Sequence, residues 1–152
     1  IIGSRRNIRN DSPIIAPFGV QQQGSGDMYY KSGSMLHSMR QIINDDEKWR
    51  GILAQVADSI ASGNFGPLSL MPGVEPVAQA TAAQISSYVF GYPATLVPLP
   101  DESWDTSVCM FNGGEWEVLV DLWTQEEGRS DLVLHVYVSQ DNVVRVHAVY
   151  VP

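Results

Sequence analysis

Cations are nearly missing from the last two-thirds of this chain. After position 50 there are two, Arg129 and Arg145, against twelve Asp and Glu, a balance of −10 over 102 residues. The first fifty residues hold seven Lys and Arg against five acids, a balance of +2, and the two parts sum to the −8 of the whole chain. Binding a phosphate backbone needs clustered cations, so nucleic acid is excluded as a partner, while a protein with a basic surface stays open. The single cysteine, Cys109, excludes an internal disulfide framework. No run approaches the roughly 18 apolar residues that a membrane crossing requires, which excludes a membrane partner and makes the cytoplasm the expected address. A basic start followed by an apolar run and a small-residue cleavage site is also missing, and the opening on Ile1 leads to the expectation that something upstream has been removed. The three histidines, His37, His135 and His147, are scattered, no H-E-x-x-H occurs, and no cofactor is implied.

What is present divides by period. Residues 1 to 26 are rich in Gly, Ser, Asn, Pro and Gln without periodicity, and read as an extended lead in which Arg5, Arg6 and Arg9 form a solvated tail or an anion contact. From Asp27, with Asp27 or Ser25 as cap, Tyr29, Leu36, Met39, Ile42 and Ile43 recur near the 3.6 period and predict a first helix. Asn44 and Glu47 have capping-box spacing, and Trp49, Ile52, Leu53, Val56 and Ile60 form one apolar stripe that Gly63 ends, which predicts a second helix. A Gly- and Pro-rich loop follows. Pro76 then opens a third helix through Ala82, Ile85, Tyr88 and Val89, stopped by Gly91 and Pro93.

Beyond that point the period falls to 2. Short runs at Ala94 to Val97 and Ser107 to Phe111 precede Asn112-Gly113-Gly114, a hairpin turn. In the strand that follows, Trp116, Val118, Val120 and Leu122 share one face and Glu115, Glu117 and Asp121 the other. Leu132, Leu134, Val136 and Val138 repeat the pattern, and a turn at Gln140 to Asn142 leads into a last strand, Val143 to Val151. The fold class expected is α+β, with N-terminal helices packed on an antiparallel sheet of four or five strands. The expected organisation is a lead plus appended helix over residues 1–44 and a single α+β domain over residues 45–152. An exposed stripe on the first helix, if uncovered, would support a homodimer.

Two resemblances divide the chain at nearly the same place as the charge. The segment from Asn7 to Leu53, NIRNDSPIIAPFGV and GSGDMYYKSGSMLHSMRQIINDDEKWRGIL, resembles the gluzincin, M1-type, aminopeptidases. The resemblance places Tyr29 at the tyrosine that stabilises the oxyanion of the tetrahedral intermediate, a task suited to a neutral phenol donor. The pattern departs from that family at Ser32, where a glycine is usual, and in lacking the zinc motif, so it implies a peptidase fragment without its metal. From Ile52 to Pro152, ILAQVADSIASGNF, SSYVFGYPATLVPLPDESW and DLWTQEEGRSDLVLHVYV are similar to a family of small bacterial domains of unknown function sharing a W-T-x-E-E-G-R-S-D-L block. That resemblance implies one folding unit and supplies no chemistry. The adjoining resemblances and the charge step lead to the expectation of a chimeric chain.

The block Trp123 to Asp131 links two patterned strands and gathers charge at their tip, with Gly128 at a positive φ. Three readings fit it. Glu126 and Glu127 can act as an acid/base pair or cation site with Arg129 orienting a ligand. Alternatively they are a polar hairpin end, with Arg129 pairing to Glu127, Asp131 or Asp121 and Trp123 closing the core edge. The third is a contact surface of Trp123, Glu126, Glu127, Arg129 and Asp131. His135 and His147 face each other if the last hairpin loop is odd, and supply half a metal site at most. Cys109, between Val108 and Met110, reads as a buried apolar residue with no adjacent base. The function expected is a small acidic non-catalytic binding protein, of immunity-protein or antitoxin type, occupying a basic surface of its partner. The alternative is an inactive or residual metallopeptidase fragment, or a hydrolase built on the Glu126 to Asp131 loop.

Overall fold

A computed structural model describes residues 36–39 and 46–152. Within them the order is β1 (Leu36–Ser38), α1 (Asp46–Ser62), a 3-10 turn (Gly66–Leu70), α2 (Gln79–Gly91), β2 (Leu96–Val97), α3 (Ser103–Thr106), β3 (Val108–Phe111), β4 (Glu115–Thr124), β5 (Gly128–Ser139) and β6 (Val144–Tyr150). One antiparallel sheet runs β1-β3-β4-β5-β6, and β2 pairs with β4 beyond the stretch that β3 takes. The α+β class and the antiparallel sheet stand as the sequence predicts.

Helix α1 is the stripe made solid. Trp49, Leu53, Val56, Ala57 and Ile60 are buried together against the sheet. Its end is a Schellman motif: Gly63 sits at φ 72°, its N–H donates to Ile60 O at 3.0 Å, and the Asn64 N–H donates to Ser59 O at 3.0 Å. The other end of the helix reaches the far turn of the sheet, where the Trp49 indole N–H donates to Asn142 Oδ1 at 2.9 Å. Asn142 itself takes φ 62°, a conformation that asparagine tolerates better than most residues. Below α1 the core continues through Val118, Val120, Leu122, Leu132, Leu134, Val136, Val138, Val144 and Val149, the inward positions of β4, β5 and β6.

Three features differ from expectation. Leu36–Ser38 is a strand and not part of a helix, in the register Leu36↔Met110, His37↔Cys109, Ser38↔Val108. The unpaired edge of β3 is a long-range partner that no local period reveals, and it overrides the helical spacing of Leu36 and Met39. The rest of that predicted helix, with Tyr29, Ile42 and Ile43, lies outside the described residues, as do Arg5, Arg6, Arg9 and Asn44; a homodimer through that helix loses Leu36 and Met39 as helical positions. Helix α2 begins at Gln79 and not at Pro76, because Val74 bridges to Val144 and the Glu75 N–H donates to Val144 O at 2.9 Å, which holds this stretch extended. Finally, β5 and β6 each carry an irregularity that strict alternation does not predict.

In β6 the inward residues are Val144, Val146 and Val149, a spacing of two and then three. A bulge resolves the mismatch: Val136 pairs with Val146 and His135 with Ala148, leaving His147 as the extra residue. In β5 the register shifts between Asp121↔Val133 and Trp123↔Arg129, so Ser130, Asp131 and Leu132 stand against Leu122 alone. The Ser130 hydroxyl repairs the ladder there, donating to Leu122 O at 2.8 Å and accepting the Leu132 N–H at 3.1 Å. The freed Asp131 N–H donates to the Tyr92 hydroxyl at 3.1 Å, just past α2. No helix among the described residues is long and apolar enough to cross a membrane.

Candidate functional site

The predicted block forms the β4–β5 hairpin end. Thr124 pairs with Gly128, Gln125 to Glu127 turn, and Gly128 takes φ 79° as expected. The Thr124 hydroxyl steadies the turn by accepting the Glu127 N–H at 3.1 Å. Glu126 reaches sideways to Thr95, just before β2, where its carboxylate accepts the Thr95 N–H at 2.7 Å and the Thr95 hydroxyl at 3.1 Å. The Thr95 N–H, with the hydroxyl adding to it, favours the charged form, and the Glu126 carboxyl is held below its ordinary range. The Gln125 N–H donates to Thr95 O at 2.8 Å, so the tip is fastened on both sides of Thr95.

Arg129 lies 3.7 Å from Asp121 across the strand pair, one of the three partners expected of it. Trp123 shares the outward parity of Asp121 while Leu122 and Thr124 are buried, so it is half-buried on the outer face and not at the core edge. Glu127 and Asp131 are exposed and flank the Tyr92 hydroxyl. The Asp131 N–H bond favours a Tyr92 phenolate, but burial and the two carboxylates outweigh it, and the phenol is pushed up. The structure therefore brings Glu126, Glu127, Arg129, Asp131 and Trp123 to one end of the sheet, while Tyr29 lies outside the described residues.

A second constellation, whose members are far apart in sequence, lies on the outer face. The loop of the last hairpin is odd, Val138 pairing with Val144, and the His135 and His147 rings stand 4.9 Å apart, edge to face. His135 is 8% exposed. Its Nε2 lies 2.7 Å from Glu117 Oε2, an approach off the N–H axis that makes it a close electrostatic contact and not a straight hydrogen bond. Its Nδ1 is 3.3 Å from the Tyr150 hydroxyl. Burial pushes the His135 imidazolium down, with Glu117 opposing and His147 adding to the fall. A neutral ring with its proton on Nε2 then accepts from Tyr150 at Nδ1, an assignment made from the network. Beside it Arg145 spans two groups: its guanidinium contacts both oxygens of Glu115 at 3.2 Å and lies 4.6 Å from the centre of the Tyr137 ring. Burial foremost, with Glu117 next, pushes the Tyr137 phenol up.

Sequence reasoning found the two histidines and missed Glu117, Tyr137 and Tyr150 as their companions. The visible signal was outward parity: Glu117 and His135 lie on neighbouring strands at positions opposite their inward residues. The bulge that brings Tyr150 over the ring had only the Val146 to Val149 spacing to announce it. Among the described residues, no three or more His, Cys, Asp or Glu side chains are grouped to hold a metal ion. Cys109 is buried in the core beside Val118. Chemically, the outer face can hold a proton on His135 beside the Glu117 carboxylate, and the hairpin end can present carboxylates to a cation.

Residues 57–152 match the model of a domain of unknown function, DUF7668, which covers more than half of the chain. Residues 7–53 lie outside that match, and no aminopeptidase family matches them, so the peptidase resemblance expected there is without support. No curated protein and no solved structure matches.

Proposed function

The chain belongs to the family of the domain of unknown function DUF7668, and from that premise we propose that it is a small acidic binding protein that occupies a basic surface of a protein partner, in the manner of an immunity protein or antitoxin. One observation carries the reading: residues 51–152 hold twelve acids and two arginines, and both arginines are engaged on the outer sheet face, Arg129 with Asp121 and Arg145 with Glu115. The excess negative charge elsewhere is not offset from within that stretch. Exposed Glu127 and Asp131, with Glu126 beside them, put part of it on a hairpin end fastened to Thr95 and to Tyr92. Carboxylates on a fixed scaffold steer a basic partner and set register with little loss of side-chain order.

The same proposal places this protein in the cytoplasm of a bacterium and treats residues 1–44 as a fragment joined to the domain, a reading supported by the charge step near residue 50 and by a family match that begins at residue 57. The test is capture from a bacterial lysate at low salt, followed by purification of what is captured. A basic protein whose affinity falls at least tenfold between 50 and 500 mM salt supports the reading. Capture of no basic protein, or a complex indifferent to salt, refutes it.

A further inference from the structure

The side of the sheet formed by β3 is closed by little. Three residues, Leu36–Ser38, pair with it, and the Met39 N–H adds a bond to Ser107 O at 2.8 Å. Leu36 is 59% exposed, whereas Met39 is fully buried and belongs to the core cluster. The segment is thus held by backbone bonds and one apolar plug. That is how an extended peptide is held when it adds to a sheet edge: main-chain bonds give affinity and an alternate side chain in a pocket gives selectivity.

Two further observations concern what fits this edge. β3 lies inside the residues that match the family domain, and the segment that covers it lies outside them. The covering residues 36–39 carry no acid, and they lie on a domain whose balance is −10. We propose that the β3 edge is a strand-docking groove for an extended, basic segment of a protein partner with an apolar residue at the place of Met39, and that residues 36–39 fill the groove within the chain. The basic character of the segment rests on the reading above; the strand mode and the plug rest on the β1–β3 geometry alone.

The test uses the full chain carrying Met39→Asp, which places a carboxylate in the buried position and expels β1. Its ligand is a fluorescent synthetic peptide of residues 33–42, GSMLHSMRQI, compared with the same peptide carrying Met39→Asp. The expected result is that the variant chain binds the first peptide at least tenfold more tightly than the second, and at least tenfold more tightly than the unaltered chain does. A cooperatively folded variant that binds neither peptide, or both equally, overturns the proposal. Should the variant not fold, amide exchange in the unaltered chain decides. Exchange at Met39 at least a hundredfold faster than at Val118 supports a segment that vacates its groove, and equal protection overturns it. Peptide binding fails or succeeds independently of the salt-dependent capture, so loss of the groove and loss of the acidic-surface reading are distinguishable.

Discussion

Val118, Val120 and Leu122 turn inward from β4 and are buried with α1, while Glu117, Leu119 and Asp121 turn outward from the same strand and stay half-buried. The inward face is mainly aliphatic, with Trp116 and Cys109 among its apolar residues, and is closed by Trp49, Leu53, Val56 and Ile60. The outward face is closed by its own side chains: His135 is covered by Tyr137, His147 and Tyr150 and touches Glu117, and Arg145 lies over Tyr137. One face is held by area removed from water, the other by directional contacts among groups that water also solvates. The difference teaches where change is tolerated, since the first depends on volume and the second on pairing.

The comparison is broken most severely from the inside. Leu134→Ala opens a cavity beneath α1 and is expected to lower unfolding free energy by about 2–5 kcal/mol in urea titration. A loss under about 1 kcal/mol would mean the inner face is not closely packed. Ser130→Ala strikes the seam between the faces, where one hydroxyl serves both Leu122 O and the Leu132 N–H. We expect a loss of about 1–3 kcal/mol, because two buried backbone groups lose their partner, with faster amide exchange at Leu132 as the local readout.

The outer face is sharpened by pH. Because the His135 imidazolium is disfavoured in the fold, the folded chain binds fewer protons than the unfolded one between the lowered value and the ordinary 6.5. Stability therefore rises with pH across that window; this group costs nothing above about 6.5 and destabilises progressively as pH falls below it. Urea midpoints between pH 7 and pH 5 should fall, and His135→Gln should flatten the fall. An equal fall in the variant would place the sensitivity on other groups.

Local signals carried most of the fold into view. The α1 stripe, the Gly63 stop, the turn at Asn112 to Gly114 and the positive φ of Gly128 each depend on neighbours within a turn or two, which periodicity and turn chemistry read directly. Non-local partners hid the rest. Leu36 and Met39 fit a helix until the β3 edge is known, and Tyr92 meets the Asp131 N–H 39 residues away for a reason that exists only once β5 bulges. The candidate site divides in the same way: the hairpin end was contiguous in sequence and visible, whereas Glu117, His135 and Tyr150 come from three strands and meet through a bulge.

Neutralising the hairpin end should disturb the fold least of all. Glu127→Gln with Asp131→Asn alters two exposed side chains, and its effect on stability is expected to stay within about 0.5 kcal/mol per site. For that reason it tests the acidic-surface account most directly. The measurement is the dissociation constant of the purified basic partner for the unaltered chain and for this double variant across a salt series. The account predicts at least tenfold weaker binding and a shallower dependence on salt for the variant. Equal affinity and an unchanged salt slope in a fully folded variant would contradict it.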